Sequence, residues 1–213
     1  MKRKTFFLVS VIGAAALGSS PARAAETCYD FSGLQNGRVF AIGETYEAEH
    51  LRAVFRPYVL PSGGKTSGPA YYAEVKSTDI AKSKSTELSE IYIYGVDMQI
   101  VPRQPVAQIR LRVAENKGNP NLGRHFNIAI GDKVHQISTS LRELDDRVVE
   151  DEAGRQFRIN VKLTHNPPGP DGTVSKWYSG TLQVRALGGQ ITSFSIGGHP
   201  MVVDDVCFTP NGT

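Results

Sequence analysis

The chain has 213 residues, with 24 Lys and Arg against 21 Asp and Glu, five His, two Cys and one Trp. The formal charge of +3 comes from its first 24 residues, which hold Lys2, Arg3, Lys4 and Arg23; residues 25–213 carry 20 basic and 21 acidic side chains, a balance of −1. That balance excludes a broadly basic nucleic-acid binder, and no apolar run reaches the roughly 20 residues that a membrane-spanning helix needs.

Residues 1–24 have the layout of a secretory signal. Lys2 to Lys4 form a basic start, Phe6 to Leu17 an apolar stretch, and Ala22-Arg23-Ala24 a small-residue cleavage site. The expectation is a cleaved signal followed by one domain at 25–213, exported to the periplasm or beyond. In such a compartment Cys28 and Cys207 most simply form one disulfide, since there is no C-x-x-C spacing for redox or metal chemistry.

Along the rest of the chain, period-2 alternation recurs and helical periodicity is nearly absent. After Thr27-Cys28-Tyr29-Asp30-Phe31 comes a turn-rich Ser32 to Gly37. Short strands are then expected near Val39-Phe40 and Thr45-Tyr46, and a longer one at Leu51 to Arg56. Leu60 to Gly68 reads as a loop and Tyr71 to Lys76 as a strand. Thr78 to Ser89 is a polar excursion with room for one short helix. Ile91 to Tyr94 and Met98 to Val101 flank Gly95. Ala107 to Val113 alternates most cleanly, with Gln108, Arg110 and Arg112 outward.

Arg124 to Ile137 predicts a hairpin about Gly131-Asp132, with Phe126, Ile128 and Ile130 alternating up to the turn. Ser140 to Gly154 is acidic, anchored by Leu141, Leu144, Val148 and Val149, with space for one helical turn. Phe157 to Leu163 is another strand, and His165 to Ser179 a long Pro- and Gly-rich loop. Leu182 to Ala186 and Ile191 to Ile196 predict a second hairpin about Gly188-Gly189, before the closing Met201 to Phe208. Ten to twelve short strands with turn residues between them predict an all-β, two-sheet sandwich or jelly roll. Its N- and C-terminal strands would be adjacent and joined by the disulfide.

If Cys28 faces Cys207 in an antiparallel pair, Tyr29 faces Val206, Asp30 faces Asp205 and Phe31 faces Asp204. Two carboxylates directly across a ladder repel unless both reach water or a cation lies between them. Oxygen-rich ligation, with carbonyls from Gly33 to Gly37, suits Ca²⁺. Both readings stay open at this point.

The opening Cys28-Tyr29-Asp30-Phe31-Ser32-Gly33-Leu34, the Phe194 to Gly198 approach and the closing Val203-Asp204-Asp205-Val206-Cys207-Phe208 resemble a group of exported bacterial β-sandwich proteins. More loosely, they resemble carbohydrate-binding modules of the galactose-binding-like fold. Where those modules often have Gly-Gly-Gln before the last strand, this chain has Gly197-Gly198-His199. The resemblance implies a jelly roll with a structural calcium held by Asp30, Asp204 or Asp205.

Sugars are held by aromatic faces and by amide, carboxylate and Arg hydrogen bonds. Trp177 and Tyr178, at the end of the long loop, are the leading candidates; Tyr71-Tyr72 and Tyr92/Tyr94 come next, since alternation must send one of Tyr71 and Tyr72 outward, with Tyr72 the one taken. The five histidines have no metal-ligand spacing. Glu143, Asp145 and Asp146, or Glu150, Asp151 and Glu152, are the only dense carboxylates for acid–base work, and an acidic connection is usually just solvated. Gly64-Lys65-Thr66 lacks the first glycine of a phosphate loop, where Val59 stands, and there is no Gly-x-Ser-x-Gly elbow. The expectation is a non-catalytic exported module for a glycan or another envelope ligand; the alternative is a structural or adhesin-like assembly module with no sugar ligand.

Overall fold

The computed structural model describes residues 25–81, 89–116, 125–137, 140–168, 173–198 and 200–211. The expected signal segment, most of the polar excursion before Ser89, His199 and the final Gly212-Thr213 lie outside them. Among the described residues the strands are β1 (Thr27–Tyr29), β2 (Val39–Ala41), β3 (Thr45–Glu47), β4 (Leu51–Pro57) and β5 (Tyr72–Lys76). Next come β6 (Glu90–Tyr94), β7 (Val96–Pro102), β8 (Gln108–Asn116), β9 (Phe126–Ile130) and β10 (Lys133–Ile137). One 3₁₀ turn, Leu141–Leu144, precedes β11 (Arg147–Glu150), β12 (Gln156–His165), β13 (Trp177–Ala186), β14 (Phe194–Gly198) and β15 (Met201–Thr209).

These strands form two antiparallel sheets, as the sequence predicts. The larger runs β11-β12-β13-β8-β15-β6-β5-β2 with β1 also on β15; the smaller runs β10-β9-β14-β7-β4-β3. Alternation in each strand turns one apolar row inward. Ile109, Leu111 and Val113 of β8, with Leu182 and Val184 of β13, meet Phe55, Met98, Ile100, Phe194 and Ile196 of the smaller sheet in one buried core. Phe40 and Phe55 stack across the two sheets with ring centroids 4.4 Å apart.

The closing strand β15 sits near the middle of the larger sheet. One edge pairs with β8 along its length; the other takes β6 at Met201–Val203 and β1 at Val206–Phe208. Cys28 stands opposite Cys207 and the two are disulfide-bonded. Between Asp204 and Cys207 the register against β8 shifts by one residue, a β-bulge, and Asp205 has φ 43°. The bulge has a clear purpose. Met201 and Val203 face the core at odd positions, and Val206 and Phe208 at even ones. A regular strand would have driven Asp205 inward and Val206 out; one extra residue keeps the acid at the surface.

Three elements differ from expectation. Leu182 to Ala186 and Ile191 to Ile196 do not form a hairpin. Both edges of β13 are taken by β12 and β8, so β14 crosses to the smaller sheet between β7 and β9. The Pro- and Gly-rich loop is shorter than its composition suggests, because β12 extends to His165 and pairs it with Tyr178, making Trp177 and Tyr178 the first residues of β13. In the acidic segment the expected helical turn is the 3₁₀ turn, but Arg147–Glu150 then adds the edge strand β11.

Candidate functional site

Parity decides which aromatic side chains share a face. In β13, Gly180, Leu182 and Val184 face the core, so Tyr178 does too, and Trp177 faces away. In β5, Ala73 and Val75 face the core, which sends Tyr72 outward; in β6, Ile91 and Ile93 do so, which sends Tyr92 and Tyr94 outward. The outer face of the larger sheet therefore carries an aromatic row. Tyr72 and Tyr94 have centroids 4.9 Å apart, Tyr94 and Tyr92 are 6.2 Å apart, and Tyr92 meets Trp177 edge-on at 6.0 Å. The Lys76 ammonium lies 4.7 Å from the Tyr92 centroid and donates to Tyr94 Oη at 2.9 Å. That hydrogen bond, opposed by burial, pushes the Lys76 pKa up to about 12.

A buried carboxylate fixes the wall beside this row. Glu90 is fully buried and accepts from Thr78 Oγ1, Ile80 N and Ala81 N. These bonds hold residues 78–81 against Tyr92, Ala114 and Val202, a small apolar cluster outside the main core. Asn166 Nδ2 donates to Ile80 O at 3.0 Å, and Ser179 Oγ donates to Asn166 Oδ1 at 2.5 Å. The result is a cleft of about 510 Å³ with Trp177 and the exposed Val174 on its rim. It shares Asn166 and Pro167 with a second depression of about 400 Å³ at Arg112, Lys162 and Thr181. That one shares Arg112 with a third, of about 420 Å³, above the disulfide. The three depressions adjoin one another through these shared residues.

Of the nominated binding residues, the fold brings Trp177 and Tyr72 to one face. Tyr178 is placed elsewhere. Its ring packs on the core margin, 4.2 Å beneath the Arg142 guanidinium and 5.0 Å from the His165 ring. Tyr92 and Tyr94, the next candidates from the sequence, complete the row, with Tyr92 buried within it.

Two of the three nominated carboxylates, Asp30 and Asp205, line the third depression. The expected register holds through Tyr29 and ends there. Asp30 leaves the ladder in an Asx turn, its Oδ1 accepting from Ser32 N at 3.1 Å, and Phe31 takes φ 59° to bury its ring. Asp30 and Asp205 still line the same space, but so do Arg110 and Arg112. Asp204 is buried opposite Arg112, and its Oδ1 accepts from Asp205 N at 2.7 Å. Arg110 donates to Glu26 through Nε and Nη2, at 3.1 and 2.5 Å, and its Nη2 lies 3.3 Å from Cys207 Sγ. Two guanidinium groups thus line the space that an interposed cation would share with these carboxylates. This donor set does not suit Ca²⁺, which takes six to eight oxygens and no competing positive charge.

A polar row on the smaller sheet escaped sequence reasoning. Arg56, Asp97, Gly197 and Asn127 stand side by side across β4, β7, β14 and β9. Asp97 Oδ1 lies so close over Gly197 that a Cβ there would meet it at 2.3 Å. Asp97 Oδ1, Asn127 Oδ1 and Tyr58 Oη are buried without hydrogen-bond partners among the described residues. The turn from Tyr58 covers the row, with Asn127 Nδ2 donating to Val59 O at 2.9 Å. Burial, offset in part by Arg56, pushes the Asp97 pKa up to about 6.

The acidic segment has structural duties. Glu143 caps the 3₁₀ turn with Ser140, Asp145 Oδ1 accepts from Val161 N, and Asp151 accepts from Ala153 N, Arg155 N and Arg155 Nε.

No protein-family model matches the chain, and no curated protein sequence matches it. Among solved structures, the catalytic domain of a GH87 alpha-1,3-glucanase aligns over 90% of this chain at 12% identity with a TM-score of 0.37. The chain spans 30% of that protein's length. The K2 cleaved adhesin domain of Lys-gingipain aligns over 92% of this chain and 95% of its own, at 11% identity with a TM-score of 0.31. The disulfide fits an oxidising compartment. No helix among the described residues is long and apolar enough to cross a membrane.

Proposed function

We propose that this chain is an exported, non-catalytic carbohydrate-binding module that holds its ligand on the outer face of the larger sheet. The observation that carries the reading is Trp177 on the rim of a walled cleft, at the end of an outer-face aromatic row in which Tyr92 is buried and Tyr94 and Tyr72 are half-buried. A pyranose ring offers C–H groups on its face and hydroxyls around its edge. The Trp177 face, with Thr181 and Lys162 in the adjoining depression, answers both. The wall is preorganised by Glu90 and Asn166, which lowers the ordering cost of binding.

Trp177 is the single tryptophan, so its fluorescence reports the site directly. A panel of bacterial and plant polysaccharides titrated into the mature protein should include at least one that shifts this emission. Trp177→Ala should weaken that ligand by about tenfold or more while the far-ultraviolet circular dichroism stays unchanged. A panel in which no glycan binds, or a Trp177→Ala variant that binds as tightly as wild type, refutes the reading.

A further inference from the structure

Resting on that reading, we infer that the ligand is an acidic polysaccharide, laid along the β12-β13-β8 surface with one sugar stacked on Trp177. The outward positions of these three strands hold Arg158 and Lys162 on β12, Arg185 on β13, and Arg110 and Arg112 on β8, and no carboxylate. Between the cations lie Asn160, Thr181 and Gln183, whose groups suit sugar hydroxyls. The chain from residue 25 onward is close to neutral, so this is a local concentration of positive charge rather than a general excess.

The cations are not equally committed. Arg110 is held by Glu26, Arg112 faces the buried Asp204, and Arg158 lies 3.7 Å from the exposed Asp146. Lys162 and Arg185 are exposed and make no ion pair with any described residue. They stand on neighbouring strands, on the same face, and leave their charge to solvent or ligand. The third depression sets Asp30 and Asp205 against Arg110 and Arg112, so it offers a polyanion no net attraction. A polyanion leaving Trp177 is therefore directed past Lys162 and along β13 toward Arg185. The stretch from Trp177 to Arg185 covers about 27 Å at about 3.4 Å per residue, which suits a chain of several sugars and is too long for a single one. A nucleic acid fits less well, because it calls for successive aromatic platforms along a charged track, and the outward positions of β13 between Trp177 and Arg185 are Ser179, Thr181 and Gln183.

Fluorescence titration of the mature protein with polygalacturonate, with its methyl ester and with single-stranded DNA tests this. The two polysaccharides share a backbone and differ in charge. The free acid should bind at least about tenfold tighter than the ester. That preference should collapse in Lys162→Gln/Arg185→Gln, an exposed pair whose loss leaves the fold intact, while weak ester binding persists. Raising salt from about 50 to about 500 mM should weaken the acid alone. Equal affinity for acid and ester, or a preference untouched by the double variant, overturns the inference and leaves the carbohydrate reading standing. No response to either polysaccharide overturns the inference, while the carbohydrate reading stands or falls with the glycan panel. Single-stranded DNA binding as tightly as polygalacturonate also overturns it, by showing attraction to charge without recognition of sugar.

Discussion

Asp97 is the residue whose surroundings most constrain its chemistry. It is nearly fully buried, with Arg56 Nη2 3.6 Å from its Oδ2 and no partner for Oδ1. Its folded pKa, about 6, lies above the ordinary value of 3.8. The native state therefore holds this proton more tightly than the unfolded chain. The resulting stability is complete below about pH 4 and is lost as pH rises through about 6, a contribution of about 3 kcal/mol. Wild type should lose roughly 5–10 °C of Tm relative to Asp97→Asn between about pH 4.5 and 7.5; parallel curves in thermal melts would contradict this. At Asp30 and Asp205 the neighbouring Arg110 and Arg112 already offset the carboxylate charge, so EDTA should leave the Tm unchanged. A fall of several degrees on chelation, reversed by Ca²⁺, would restore a cation to that site.

The elements most open to test are β15 and β13. The disulfide joins residues 179 apart, and in the chain-entropy model so long a loop is worth at most about 5 kcal/mol. Cys28→Ser/Cys207→Ser should lose about 2–5 kcal/mol in denaturant titration, with the sheets otherwise retained; an unchanged midpoint would mean that β1 contributes nothing by being tethered. Within β13, a Cβ at Gly180 would lie 1.8 Å from Lys162 O, and backbone cannot give way as a side-chain tip can. Gly180→Ala should cost at least about 2 kcal/mol, whereas Thr181→Ala, one position along and outward, should cost under about 0.5 kcal/mol. Equal effects would show that β12 and β13 are not as close there as the geometry requires. Strand existence was legible in most of these segments because alternation between core and solvent leaves a period of two. Strand partners were not. Whether Ile191 to Ile196 pairs with β13 or crosses to β7 depends on which edges are already filled, and those edges belong to strands far away in sequence.

For the whole molecule, chain ends that pair with each other and a central strand that comes last imply slow folding. Such a topology closes long loops before its contacts repay them, so refolding should fall in the millisecond-to-second range. The disulfide-intact protein should refold faster than the double serine variant, which stopped-flow fluorescence of Trp177 can measure. Residues alone determined the all-β class, the two-sheet arrangement, the Cys28–Cys207 pairing and the candidacy of Trp177 and Tyr72, because each follows from local period, composition or a count of two. Only the tertiary structure decided that Asp205 leaves the core through a bulge, that arginines stand beside Asp30 and Asp205, that Tyr178 turns inward, and that Lys162 and Arg185 share a face with Trp177. Those outcomes are set by register between strands remote in sequence, and a shift of one residue there reverses which face every following side chain takes.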